Sequence, residues 1–294
     1  MRAWHYYDLH DLLHPEGRTV AVVVLLLAAL SLLCAVTVGA DPLRDAADHL
    51  YRAETVVTGQ GEANRLTGFA ACIEDVLIKV SANGKLAGDP RLASAKSNAR
   101  DYVKAFSYHD EMSGTPTRDE QGTRDRPYDL TVDFDQGRID GLLATLGLRP
   151  WSSHRPVLAV FVEMEQGARQ YIVTSDARQS DLQRDSLLAA AAKRGMPIVL
   201  PTAAQLAQSA IKASALPTLS SAALASAAAE QGGEIALIGH LVWSDDDLGW
   251  ITDWQIEWQG KSHRWRLRGI TFDEAFRRGI AGAAQILAGN GEPK

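Results

Sequence analysis

The chain has 294 residues and a formal net charge of −6, with 46% hydrophobic and 22% charged residues. These proportions are typical of a globular protein and exclude an intrinsically disordered one. The negative net charge also excludes the basic footprint that a nucleic-acid-binding protein shows. The composition therefore predicts folded domains that bind neither DNA nor RNA.

A stretch without charged residues, 19–40, directly follows Arg18. As an α-helix it would measure about 33 Å, which is enough to cross the hydrocarbon core of a bilayer. The alternative is a cleavable signal sequence, because residues 38–40 supply the small side chains that a signal peptidase needs. Either reading delivers residues 41–294 outside the cytoplasm, provided that the N-terminus stays inside. We expect the protein in the periplasm or on the periplasmic face of the inner membrane.

The chain has two cysteines, of which Cys34 lies inside the charge-free stretch and Cys72 outside it. No disulfide can therefore form within residues 41–294. Cys72 lies in a helical pattern and has no matched histidine that would activate it. We predict that it is a packed thiol and not a reactive one.

Residues 41–150 are predicted to form one mixed α/β module. Residues 50–58 and 128–134 alternate apolar and polar positions, as strands with one buried face do. Three helices are predicted from helix-starting residues: one after Gly61, one from Asp89 toward Phe106, and one after Asp135.

Residues 151–294 are predicted to form a second module. Pro150 and Pro156 bracket a short connector, which we take as the domain boundary. The continuous apolar run 157–162 predicts a central strand that is covered on both faces. A hairpin neighbour, helices at 181–195 and 202–231, three further strands and a last helix from Thr271 are predicted to follow. The predicted class is therefore α/β or α+β, with two small mixed modules after an N-terminal apolar helix (1–40).

Five of the seven tryptophans lie in residues 243–265. Apolar and polar positions alternate from 250 to 268, which predicts a β-hairpin with one buried and one charged face. A two-residue turn at Gly260-Lys261 predicts a register in which opposite positions sum to 521. That register would pair Glu257 with Arg264, Gln255 with Arg266, and Asp253 with Arg268.

We expect the indoles of this hairpin to pack on helices of the same module while the charged face meets solvent. The alternative is a platform of stacked indoles for a protein or glycan. The charged face is the candidate partner surface, and its arginines are suited to an anionic partner. Its residues are Asp253, Glu257, Arg264, Arg266 and Arg268.

Local motifs for catalysis or cofactor binding are missing from the sequence. Gly59 and Gly61 lie in a partial dinucleotide fingerprint, but Asn64 replaces its third glycine, so we interpret the segment as a turn. The three carboxylates 245–247 are consecutive and do not follow the alternating ligand positions of a calcium loop. We therefore predict no catalytic residue, no cofactor and no metal ligand.

Several distributed segments of the chain suggest a family. Residues 49–290 resemble the bacterial domain of unknown function family 2066, whose members are uncharacterised envelope proteins. The resemblance is carried by Leu50-Tyr51-Arg52-Ala53, residues 76–81, Trp151, Arg155-Pro156-Val157-Leu158, Arg194-Gly195-Met196-Pro197 and Leu200-Pro201. The element order of the second half is similar to small α/β domains of envelope accessory proteins, such as the TolB amino-terminal domain and the curli secretion lipoprotein. The resemblance implies no activity.

The sequence thus predicts an exported or membrane-anchored, non-enzymatic envelope accessory protein. It would bind a protein or cell-wall partner and would contact the membrane through residues 19–40. The alternative is a periplasmic hydrolase or a ligand-binding protein with a cleft between the two modules.

Overall fold

The computed structural model describes residues 49–110, 126–151 and 154–293. They belong to one compact unit and form two sheets and seven α-helices, so the predicted mixed α/β class is confirmed. The charge-free stretch 19–40, with its predicted signal or anchor helix, lies outside the described residues. Within the described ranges, no helix is long and apolar enough to cross a membrane.

The first half of the chain builds a three-stranded antiparallel sheet with the strand order β1-β3-β2. Helix α1 packs across one face of this sheet, and Phe69, Ile73 and Val76 of the helix are fully or almost fully buried there. The elements are β1 (Arg52–Thr58), α1 (Glu62–Ser81), α2 (Ala93–Ser97), β2 (Val103–His109), β3 (Pro127–Phe134) and α3 (Gln136–Thr145).

The helix predicted from Asp89 toward Phe106 is wrong in its second part. Asp89 caps a helical start as expected, since its carboxylate accepts a hydrogen bond from the backbone N–H of Arg91 at 2.9 Å. The helical segment is short, however, and the chain turns into strand β2 at Val103. In β2, Phe106 lies opposite Val132 of β3. Aromatic and β-branched residues favour such a strand, and pairing with β3 overrides the helical spacing.

The second half builds a larger sheet with the strand order β5-β4-β7-β8-β9, in which β6 also pairs with β4. Strands β4 and β7 are parallel neighbours at its centre, and the run 157–162 forms most of β4 as predicted. The elements are β4 (Leu158–Gln166), β5 (Arg169–Ile172), α4 (Asp181–Arg194), β6 (Ile198–Val199), α5 (Ala203–Gln208), α6 (Ser221–Glu230), β7 (Ile235–Ser244), β8 (Gly249–Trp258), β9 (Lys261–Ile270) and α7 (Phe272–Leu287).

The two faces of the large sheet are covered differently. Helices α4 and α7 cover one face, and the largest hydrophobic cluster lies between them and the strands. On the other face, α6 and a neighbouring 3-10 helix pack on β4, β5 and β7, through a small cluster around Phe161 and Ile238. The part of this face formed by β8 and β9 carries the charged side chains. We call this second face the outer face. Whether the halves 41–150 and 151–294 are separate modules stays a prediction.

The register predicted for the β8–β9 hairpin is wrong by two residues. Opposite positions sum to 519, so Asp253 pairs with Arg266 and Glu257 pairs with Ser262. The turn is formed by Gln259 and Gly260, with φ angles of 50° and 75°. A two-residue turn of this type needs positive φ at both central positions, and glycine occupies the second one. Because side chains alternate with a period of two, the slip leaves every residue on its predicted face.

The prediction that the hairpin tryptophans pack on helices is confirmed for Trp254 and Trp265. Trp254 is 1% exposed and stacks on Trp265, with ring centroids 6.3 Å apart. Both indoles lie against α7 at Gly279 and Gly282, and a Cβ atom on Gly282 would lie 2.8 Å from Trp265. On β7, Gly239 leaves the matching space on the opposite side of Trp254. Three glycines therefore shape the slot in which the two indoles stack.

Arg155 joins the two halves of the described chain. Its Nη1 donates to the carbonyl oxygen of Arg194 at 2.8 Å, at the end of α4. Its Nη2 donates to the carbonyl oxygen of Lys79 at 2.8 Å, in the last turn of α1. The guanidinium lies 4.5 Å from the ring centroid of Trp151, and burial lowers the pKa of Arg155 to about 10. The connector predicted as a boundary is thus fixed by both halves.

Cys72 is fully buried on α1 among the side chains of the first core. Burial raises the pKa of its thiol to about 12, which keeps it protonated near neutral pH. The interpretation as a packed thiol is confirmed.

Replacing Gly279 by alanine is expected to destabilise the protein by roughly 1–3 kcal/mol, because the added Cβ would overlap the Trp254 ring. This loss would exceed the gain of about 1 kcal/mol in helix propensity. The matched control is Gly141→Ala in α3, where no atom lies within 4 Å of the new Cβ. Urea unfolding would measure both variants. A Gly279→Ala variant as stable as Gly141→Ala would contradict the tryptophan slot.

Replacing Arg155 by lysine is expected to cost about 2–4 kcal/mol, because hydrogen bonds from a charged donor to buried carbonyls are lost together with the stack on Trp151. The control is Arg264→Lys at an exposed position, where we expect a change within about 0.5 kcal/mol. Urea unfolding followed by tryptophan fluorescence would measure both. Equal stability of the two variants would show that Arg155 does not join the halves.

Candidate functional site

A row of polar residues crosses the outer face of the large sheet, with one residue on each of four strands. Glu163 of β4 lies opposite His240 of β7, and His240 lies opposite Asp253 of β8. Asp253 in turn lies opposite Arg266 of β9. Residues in such register project side chains from the same face, so these four are neighbours in pairs. We call them the polar row.

Part of the predicted partner surface forms the exposed end of this row. Arg266 binds Asp253 through two hydrogen bonds, Nε to Oδ1 at 2.6 Å and Nη2 to Oδ2 at 2.8 Å. Arg268 donates to Oδ2 of Asp247 at 3.0 Å, and this bond lowers the pKa of Asp247. The guanidinium groups of these two arginines are therefore already engaged by carboxylates of the same chain.

The remaining two residues of the predicted surface lie nearer the hairpin turn. Glu257 accepts a hydrogen bond from the hydroxyl of Ser221 on α6. Arg264 lies opposite Gln255 and forms no ion pair with any residue in the described ranges. The structure thus places all five predicted residues on one exposed face, but it leaves only one of the three arginines without a carboxylate partner.

The buried end of the polar row is Glu163, whose side chain is 1% exposed. Its Oε1 accepts a hydrogen bond from Nε2 of Gln170 at 2.6 Å, whereas its buried Oε2 has no hydrogen-bond partner among the residues that the structure describes. Burial raises the pKa of Glu163, while the nearby His240 and the bond from Gln170 act in the opposite direction. Burying a carboxylate without a full set of hydrogen bonds costs folding free energy, so the position of Glu163 needs an explanation.

His240 approaches two carboxylates at once. Its Nε2 lies 3.7 Å from Oε2 of Glu163 and 3.7 Å from Oε2 of Glu165. One donor atom from each of the three residues lies within 4.8 Å of the others. Two carboxylates and one imidazole are a donor set that can hold a divalent metal ion.

These three residues were missed at the sequence level, although a signal existed. Glu163 and Glu165 follow the apolar run 157–162 with the spacing of one strand face, and His240 follows a second apolar run in the same manner. Polar residues that end two parallel central strands come together at one place. Using this signal requires the knowledge that β4 and β7 are neighbours.

A groove of about 620 Å³ lies where the β7–β8 turn meets the beginnings of α4 and α7. We call it the aromatic groove, because four aromatic side chains line it: Tyr171, Trp243, Trp250 and Phe272. Trp243 and Trp250 make an edge-to-face contact with ring centroids 5.6 Å apart. Leu182 and Leu248 also line it and are 72% and 82% exposed. Such exposed apolar side chains beside aromatic rings indicate a contact surface.

Two basic side chains, Arg169 and Arg178, and two acidic ones, Asp181 and Asp273, also line the aromatic groove. Neither arginine forms an ion pair with a residue that the structure describes. Burial raises the pKa of the nearby Tyr171 phenol, which therefore stays neutral. All lining residues lie between 164 and 273, so the groove belongs to the second half of the chain alone.

The turn beside the groove carries the carboxylates 245–247. Asp245 accepts a hydrogen bond from Nε1 of Trp243 at 2.8 Å, and Asp247 accepts one from the Ser244 hydroxyl at 3.0 Å. These bonds hold the turn internally, and the prediction that it binds no calcium ion stays a prediction.

Comparison with known proteins gives one match. Residues 45–152, which are 108 of the 294, match the family described as a domain of unknown function, DUF8605. No curated protein and no solved structure matches the chain. The resemblance to the domain of unknown function 2066 and to TolB-like domains is therefore wrong, because a different family matches the first half. By sequence, residues 45–152 of this chain are similar to DUF8605.

Proposed function

We propose that the chain is an exported or membrane-anchored envelope protein that binds a partner protein without catalysing a reaction. Export rests on the charge-free stretch 19–40, and its orientation rests on Arg18 at the edge of that stretch. The compartment is the periplasm or the periplasmic face of the inner membrane. The folded body is the part that meets the partner.

The aromatic groove is the single observation that carries the binding role. Rigid aromatic side chains supply large contact area at low entropic cost and are enriched where proteins meet. Leu182 and Leu248 add apolar surface that the fold itself does not bury. Because Trp250 and Trp243 are held by their ring contact, this surface is formed before a partner arrives.

The chemistry of the groove selects the kind of segment that fits. An apolar side chain would fill the space between Trp243 and Phe272, and a neighbouring carboxylate would meet Arg169 or Arg178. Both guanidinium groups lack an ion pair within the described residues, so binding a carboxylate breaks no existing pair. The partner is therefore a protein segment in which an apolar residue lies beside an acidic one.

The charged face of the hairpin is the less favoured contact surface. Binding an anionic partner there would have to compete with the Arg266–Asp253 and Arg268–Asp247 pairs. Only Arg264 offers an unpaired guanidinium among its described residues. The aromatic groove has both the larger apolar area and the unpaired cations.

A second candidate function is the binding of a small molecule. The volume of the groove, about 620 Å³, lies within the range of small-ligand sites in proteins. The two exposed leucines favour a protein segment over a small ligand, because they extend the apolar surface beyond the pocket itself.

The export proposal predicts that a topology reporter fused after residue 60 is active only outside the cytoplasm. N-terminal sequencing of the same protein would separate the two forms of export. A new N-terminus at Asp41 indicates a cleaved signal, and an intact N-terminus indicates an anchor. A fusion before residue 19 serves as the cytoplasmic control. Reporter activity confined to the cytoplasm after residue 60 would end the proposal.

The groove proposal predicts that peptides selected from a random library on the purified protein carry an apolar residue beside an acidic one. Leu248→Glu and Leu182→Glu are expected to weaken binding at least about tenfold, or ~1.4 kcal/mol, because they place a carboxylate where the apolar side chain binds. Leu188→Glu is the matched control, since Leu188 is also exposed on α4 but does not line the groove.

Affinity measured by fluorescence anisotropy decides between the surfaces. Equal losses in Leu248→Glu and Leu188→Glu would contradict the groove. A loss in Arg264→Glu alone would move the contact to the charged face of the hairpin.

A further inference from the structure

We propose that Glu163, Glu165 and His240 form a binding site for a divalent transition-metal ion such as Zn²⁺. This site is separate from the aromatic groove and does not depend on the proposed partner. It lies on the outer face of the large sheet, where its three residues come from the two central parallel strands β4 and β7.

The sheet itself brings the donors together. Parallel pairing places Glu163 directly beside His240, and Glu165 follows two residues later on the same face of β4. Backbone pairing on both sides of β4 and β7 keeps these strands in place. A site built on central strands is positioned more accurately than one built on loops.

The distances suit an ion with little movement of the side chains. A tetrahedral ion with bonds of about 2.1 Å separates its ligand atoms by roughly 3.4 Å. In the structure Nε2 of His240 lies 3.7 Å from an oxygen of each glutamate. The three donor atoms all lie within 4.8 Å of one another, so a movement of about 1 Å or less brings them to bonding distance of a common centre.

An unpaired buried oxygen points to a ligand independently of the clustering. Oε2 of Glu163 is buried and has no hydrogen-bond partner in the described part of the chain, and it is the oxygen that faces His240. The other oxygen of Glu163 is held by Gln170 at 2.6 Å. Hydrogen bonds of this kind orient metal-binding carboxylates from the outside. The arrangement thus has an oriented ligand whose free oxygen is directed at the other two donors.

Neighbouring residues limit the donor set to three. Asp253, which lies on the other side of His240, is engaged by two hydrogen bonds from Arg266. The side chains of His240 and Glu165 are 28% and 39% exposed, so an ion can enter from solvent and keep water as its remaining ligand. Two carboxylates, one imidazole and water suit Zn²⁺ or a similar ion. Ca²⁺ is excluded because it takes six or more oxygen ligands.

The test is a titration of the full chain, purified in detergent and freed of metal by chelation, with Zn²⁺ as the probe. We expect one ion per chain with a Kd of about 1 µM or tighter, measured by competition with a chromogenic chelator. Co²⁺ is expected to bind the same site and to give a visible absorption band. Both signals report on the metal and need no knowledge of an activity.

The variants His240→Gln and Glu165→Gln are expected to weaken Zn²⁺ binding at least about tenfold and to remove the Co²⁺ band. Glu165→Gln is the safer variant for folding, since its side chain is partly exposed. The control is His154→Gln, because His154 lies 2.8 Å from the single carboxylate of Glu234 without a third ligand.

Two results would overturn the site directly, and a third would move the binding elsewhere. One is that no stoichiometric Zn²⁺ binding is measured at about 100 µM free ion. This concentration is far above the Kd expected for three protein ligands. The other is an affinity in His240→Gln and Glu165→Gln that equals the affinity of the wild-type protein. A loss in His154→Gln equal to that in His240→Gln would likewise assign the binding to surface histidines in general.

Discussion

The guanidinium of Arg155 links the two halves of the described chain at the ends of two helices. Helices α1 and α4 each end with carbonyl groups that have no partner inside their own helix, and each end carries partial negative charge. Arg155 reaches both ends and donates to each of them. Because α1 covers the small sheet and α4 covers the large one, one side chain links the cores of both halves. Without it, the carbonyl groups of Lys79 and Arg194 would lose their charged donor.

A second constraint is that the two faces of the large sheet have different roles. Glycines at 239, 279 and 282 let the indoles of Trp254 and Trp265 fill the space below α7. This leaves the opposite face of β8 and β9 free to carry charge. Strands β4 and β7 are covered on both faces, yet their carboxyl-terminal parts carry Glu163, Glu165 and His240. The outer face therefore changes from apolar to polar along the same two strands.

The sequence predicts features that depend on periodicity and misses those that depend on pairing. The two faces of the hairpin follow from the alternation between 250 and 268, because a period of two survives a slip of two residues. The register does not follow, because only the turn at Gln259-Gly260 fixes it. Strand β2 was missed because the apolar spacing before Val103 suits a helix, and pairing with β3 decides otherwise.

The same distinction between periodicity and strand pairing explains which candidate sites the sequence predicted and which it missed. The charged residues of the hairpin were found because they belong to one continuous segment. Glu163 and His240 are separated by 76 intervening residues, and only the parallel pairing of β4 with β7 makes them neighbours. The aromatic groove gathers residues from several turns and helix starts, which no local pattern connects.

The position of β9 at the end of the strand order has a consequence for solubility. A strand of ten residues at the edge of a sheet is a template on which a second chain can add its own strand. Lys261, Arg266 and Arg268 of this strand are each paired with a carboxylate of the same chain, and Arg264 adds a charge without such a pair among the described residues. Long charged side chains on an edge strand hinder the pairing of that edge with the edge of a second copy.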